Sequence, residues 1–167
     1  DLASFFLEAD DAIITENNDV EMFVDGQEKF DRLKEDIKNA KHHIHLLYYI
    51  FNQDEIGEEI MQLLIDKAQQ GVEVLVIYDA LGSRMTRNSF WNKLHEAGGQ
   101  SVAFFGYTLG FINWRINYRN HRKIAVIDGK IGYVGGFNVG DEYLGKGPLG
   151  AWRDTHIRIA GDAVYSL

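Results

Sequence analysis

The sequence predicts an α/β domain built on a mixed β-sheet with helices on both faces. Short apolar runs rich in β-branched and aromatic residues alternate with amphipathic helical stretches through the first 105 residues. Strand-like segments then follow one another without an intervening helix, two of them joined by an Asp-Gly turn. A hydrophobic fraction of 46% and a single proline in 167 residues suit one packed domain rather than linkers or disorder.

Asn18 to Val24 reads as a short strand, and Asp25-Gly26 as the turn that opens a helix reaching about Lys41. Phe30, Leu33, Ile37 and Ala40 recur there at helical spacing. Ile44 to Phe51 looks like a buried strand. A helix from about Asp54 follows, with Ile56, Ile60, Leu63, Leu64 and Ala68 on one face and Gly71 closing it. Val72 to Tyr78 is a second buried strand, Asn88 to Ala97 a further helix and Val102 to Phe105 another strand. Lys123 to Ile127 and Ile131 to Val134 flank the turn at Asp128-Gly129, and Thr155 to Ile159 completes the set.

The formal charge of -8, from 17 basic and 25 acidic residues, argues against broad nucleic-acid binding, which depends on neutralising phosphates with cations. Local charge runs the other way. Arg115, Arg119, Arg122 and Lys123 occur with no acid among them, a positive field suited to an anionic substrate. The absence of cysteine excludes disulfide and thiolate chemistry without assigning a compartment. No apolar run approaches the roughly 20 residues that span a bilayer. The chain begins without Met, so a processed or excised piece of a longer protein with a separate anchor is expected.

The chemistry concentrates in Asn120-His121-Arg122-Lys123-Ile124-Ala125-Val126-Ile127-Asp128. Alternate residues of an extended strand share a face, so His121 and Lys123 project together, a titratable nucleophile beside a cation. That pairing suits phosphoryl chemistry, with the cation offsetting nonbridging oxygen charge. Ile124 and Val126 on the other face would bury that side and hold the pair rigid. Spacing alone also fits an ordinary surface pair. Gly135-Gly136-Phe137-Asn138 follows the hairpin: paired glycines would let backbone approach a ligand and Asn138 could donate to a phosphate oxygen, or the glycines could simply make a turn.

The pattern H-x-K-x4-D followed by G-G-x-N, formed by His121, Lys123, Asp128, Gly136 and Asn138, resembles the signature of the phospholipase D superfamily. Asn117 to Leu144, with Arg119-Asn120 ahead of the motif and Asp141-Glu142-Tyr143 behind it, resembles bacterial cardiolipin synthases in particular. Trp152-Arg153-Asp154-Thr155-His156 continues the likeness, which spans most of the chain and is specific over its last third. The resemblance implies attack by His121 on a phosphodiester, a covalent phosphohistidine and transfer to a second alcohol, with no metal and no cofactor. Lys123, Gly136 and Asn138 would bind the phosphate, and Asp154 would orient the imidazole. Asp128 would anchor the motif at its turn, and Glu142 would be a helix-start or supporting group.

The family signature occurs twice in a complete site, yet none of His42, His43, His45, His95 and His156 is followed two residues later by Lys. Residues 1–167 therefore read as one half-domain, completed by a second half of a longer chain or by a homodimer partner. The resemblance implies phosphatidylglycerol as substrate, a membrane surface as partner and the bacterial cytoplasmic membrane as location. A homodimeric single-motif nuclease and a non-catalytic phosphate-binding domain are the alternatives. His42, His43 and His45 lack a matching acidic or thiol cluster and are read as ordinary histidines rather than metal ligands. His156 shares a face with Asp154, lining the site or packing beneath it. The aromatic, glycine-broken run from Phe104 to Trp114 suits either contact with lipid or a buried excursion over the sheet edge.

Overall fold

A computed structural model describes residues 5, 7, 14–104, 119–148 and 150–167. Seven strands form one sheet: β1 (Asn18–Phe23), β2 (His43–Tyr48), β3 (Glu73–Asp79), β4 (Gln100–Phe104), β5 (Ile124–Ile127), β6 (Ile131–Gly135) and β7 (His156–Gly161). Their order across the sheet is β1-β7-β6-β5-β2-β3-β4. β2, β3 and β4 run parallel, whereas β5, β6, β7 and β1 extend the sheet antiparallel from β2. The mixed sheet follows from chain connectivity. Helical crossovers return the first strands in the same direction, and the tight turn at Asp128-Gly129 reverses β6 against β5.

Three helices supply the crossovers and packing: α1 (Gly26–Asn39), α2 (Glu55–Gln69) and α3 (Asn88–Glu96). α1 starts where the Asp25 carboxylate accepts from the Glu28 N–H, and α2 where Asp54 accepts from the Gly57 N–H. The expected apolar stripe is buried: Phe30, Leu33 and Ile37 from α1 and Ile56, Ile60 and Leu64 from α2 pack on Ile44, Leu46, Tyr48, Val74 and Val76. The distribution of helices is more particular than the sequence suggests. α1, α2 and α3 lie side by side in one layer rather than being divided between the two faces. The opposite face presents Leu47, Leu75, Ile77, Ile124 and Val126, and the short 3-10 turn Asp162–Ser166 brings Val164 and Leu167 against it.

This arrangement reverses one expectation. Ile124 and Val126 lie on the partly open face, while Lys123, Ala125 and Ile127 point into the helical layer and are buried. Strand parity decides it, since β5 is two-sided apolar and only its register against β2 selects the inner set.

The hairpin between β5 and β6 is tight. Lys130 N–H donates to the Ile127 carbonyl at 3.1 Å, and Asp128 and Gly129 both adopt positive φ, 54° and 63°. Positive φ at both central positions matches strand twist, which favours the Asp-Gly pair. Across the sheet, Asp36 on α1 receives the Arg158 guanidinium from β7 at 2.7 Å and the Tyr133 hydroxyl from β6. This buried network pins α1 to the antiparallel half of the sheet.

Candidate active site

The start of β5, the end of β6, the start of β7 and the ends of β2 and β3 all lie along one edge of the sheet. Ile124 pairs with Leu47 and Val134, and Gly135 pairs with His156. The Gly136–Asn138 segment is tied to the end of β2 by a bridge between Phe51 and Val139, with Val139 N–H donating to Ile50 and Asn52 N–H to Val139. This edge lies where the sheet changes from parallel to antiparallel, beyond the carboxyl ends of the parallel strands, the usual place for ligands in open α/β sheets.

His121 and Lys123 stand just before β5, in irregular backbone, and still face each other. The Lys123 Nζ lies 2.7 Å from His121 Nδ1 and donates to the His121 carbonyl at 2.6 Å. Lys123 is buried and His121 exposed. Burial lowers the Lys123 pKa, with the Asp154 carboxylate opposing. Burial and then the Lys123 cation lower that of His121, with Asp79 opposing, which favours the neutral imidazole. A charged Lys123 donates, so Nδ1 accepts and the ring proton sits on Nε2 in the unliganded pair. The Tyr49 ring, just beyond β2, lies 4.5 Å from the His121 ring, centroid to centroid, and limits its movement.

The other motif positions have distinct placements. Asn138 is buried, its Oδ1 accepting from Ile50 N–H at 3.0 Å and its Nδ2 donating to the Tyr143 hydroxyl at 2.7 Å. Gly136 makes room for a side chain: a Cβ there would fall 1.9 Å from Asp154 Oδ1. Gly135 does the same for the backbone of Thr155 and His156. The glycine pair thus admits the strand carrying Asp154. Asp154 accepts from its neighbour Thr155 N–H at 2.7 Å and acts electrostatically on Lys123; no hydrogen bond joins it to His121.

Asp128 lies at the far end of β5 from His121, so the structure does not bring it to the reacting groups. Its carboxylate accepts from the backbone N–H groups of Lys41, His42 and His43 at 2.7–2.9 Å, holding the loop that feeds β2. Burial would raise its pKa, but these donors outweigh burial and lower it. Asp141 is likewise a cap, accepting from the Glu55 and Ile56 N–H groups at the start of α2.

His156 is fully buried beneath the site, stacked on Phe137, and its pKa is pushed down to about 2 by burial and by Lys29 and Lys123. It packs as a neutral ring. His45 pairs with Glu73 at 2.7 Å, and among the described residues no cluster of three metal-ligating side chains occurs. Of Phe104 to Trp114, only Phe104 lies within the described residues. Asp79 and Tyr49 were not predicted as site residues, because 42 and 72 positions separate them from His121 and only the fold brings them near it.

A His-Lys pair at the edge of this mixed sheet stands on a phospholipase D-like fold. The same fold occurs in the phospholipase D family member Nuc from Salmonella typhimurium, with a TM-score of 0.68 and 17% identity over 90% of this chain and 89% of that one. Phosphatidylserine synthase from Haemophilus influenzae gives a TM-score of 0.64 at 21% identity, covering 85% of this chain and 33% of that one. Residues 33–146 match the model of the cardiolipin synthase, phospholipase D-like domain, and the chain belongs to that family. It is 55% identical over its whole length to a cardiolipin synthase of Listeria monocytogenes and 54% identical to the major cardiolipin synthase ClsA of Bacillus subtilis. The chain spans 35% of the length of each.

Proposed function

We propose that this chain supplies one catalytic half of a cardiolipin synthase, transferring a phosphatidyl group between phosphatidylglycerol molecules. The observation that carries the reading is the contact between His121 and the buried Lys123 at the edge where Asp154 and Asn138 also arrive. An incoming phosphodiester competes for the Lys123 ammonium, which turns from Nδ1 to a nonbridging oxygen. The exposed imidazole then loses its Nε2 proton to water and takes one at Nδ1, leaving Nε2 the attacking lone pair. In this reading Asp154 receives the hydrogen bond of the Nδ1 proton once Lys123 has moved. As the P–N bond forms, the P–O bond to the first alcohol breaks, and the alkoxide takes a proton from an acid of the second half. The second alcohol then gives its proton to that same group of the second half, attacks phosphorus and breaks the P–N bond, releasing neutral His121.

Asn138 has a second amide hydrogen beyond the one given to Tyr143, available to a phosphate oxygen. The second half belongs to the remaining length of a protein like its relatives, and a membrane surface delivers the substrate. Among the described residues no helix is long and apolar enough to cross a membrane. A dimeric phosphodiesterase is a second reading, favoured by the extent of the match to Nuc. The test is turnover of phosphatidylglycerol by the full-length protein beside His121→Ala. Loss of cardiolipin formation is expected, and a His121→Ala enzyme with undiminished turnover would sink the nucleophile assignment.

A further inference from the structure

The end of β3 carries a charged group that the phosphate motif does not include. Asp79 is 1% exposed, and its Oδ1 accepts from the Leu81 and Gly82 N–H groups at 2.9 and 3.1 Å. Its Oδ2 is buried and has no hydrogen-bond partner among the described residues. The same oxygen that accepts those bonds faces Arg119 Nη1 at 3.6 Å, two residues before His121. The turn that Asp79 organises is fitted against the aromatic support of His121. A Cβ on Gly82 would fall 2.2 Å from the Tyr49 carbonyl, Ser83 Oγ bonds to the same carbonyl and to Phe51 N–H, and Thr86 donates to the Phe51 carbonyl.

We infer that Asp79 is a positioning residue for His121, holding the Arg119 approach and the Tyr49 ring in place and setting a buried negative charge opposite the imidazole. The inference rests on His121 being the nucleophile. When neutral imidazole attacks phosphorus, the ring becomes cationic as the P–N bond forms and the ester P–O bond breaks. A fixed buried carboxylate favours that charge where water does not screen it. Among the described residues, the groups around His121 are Lys123 on its own segment, the Tyr49 ring just beyond β2 and the Asp79–Arg119 pair, with Asp154 and His156 acting on Lys123. Asp79 raises the His121 pKa against burial and Lys123.

The experiment compares kcat against pH for the full-length enzyme, Asp79→Asn, Arg119→Gln and His121→Ala. Asparagine retains an oxygen for the Leu81 and Gly82 donors, so the turn persists without its charge. Asp79→Asn is expected to lower kcat about 10–100-fold with KM little changed, and to move the acid limb to lower pH. Arg119→Gln leaves the Asp79 charge less opposed and moves the limb the opposite way. A purely structural Asp79 predicts loss of folded enzyme with an unmoved limb, and that result in both variants overturns the inference. Should His121→Ala remain active, the nucleophile reading fails first and takes this inference with it, an outcome distinct from an unmoved limb beside a dead His121→Ala.

Discussion

Replacing Asp128 by Ala should destabilise the domain without removing a reacting group. The carboxylate accepts from three backbone N–H groups, those of Lys41, His42 and His43, at an intermediate level of exposure. Hydrogen bonds to a charged acceptor contribute about 1.5–3 kcal/mol when buried, and partial exposure reduces this to about 1 kcal/mol each. Asp128 also has a φ of 54°, a left-handed conformation that costs alanine about 1 kcal/mol. The sum is about 4 kcal/mol, a large share of the roughly 5–15 kcal/mol that holds a domain folded. Asp128→Asn retains one acceptor oxygen and tolerates the backbone, so about 1–2 kcal/mol is expected. Denaturant unfolding and hydrogen exchange at the Lys41, His42 and His43 amides measure the effect. Because the Asp128 pKa is lowered on folding, this stability is present above the unfolded carboxyl value of about 3.9 and is lost as pH falls through the folded one. An Asp128→Ala protein of native stability, or one fully folded yet inactive, would refute the assignment of Asp128 to the scaffold.

Two further outcomes follow from the same geometry. Gly136→Ala would place a Cβ 1.9 Å from Asp154 Oδ1, displacing the carboxylate and loosening the β6 to β7 connection; activity should fall about 100-fold with helix content kept, read by turnover and circular dichroism. Asp36→Asn strips the charge that the buried Arg158 and Tyr133 share, and unfolding should show about 3–5 kcal/mol lost, with activity per folded molecule unchanged.

All seven strands and all three helices that the sequence predicts are present, shifted by a few residues at their ends. They were legible because their signals are local: a stripe at helical spacing, an apolar run, a capping aspartate, an Asp-Gly turn. His121 and Lys123 were legible for the same reason, being two residues apart on one segment. Only the tertiary structure decided the rest. It set which face of β5 is buried, because an apolar strand has no preferred side until its register against β2 is made. It assigned Gly136 to accommodate Asp154, tied Asn138 to Ile50 and Tyr143, set the Tyr49 ring from just beyond β2 beside His121, and set Asp79 from the end of β3 beside Arg119. Those contacts join residues far apart in the chain, and the order in which strands pair creates them. The sequence by itself determined that His121 and Lys123 stand together on one segment, and the elements around them; the folded sheet determined which groups surround that pair, because field and hydrogen bonding depend on distance in space.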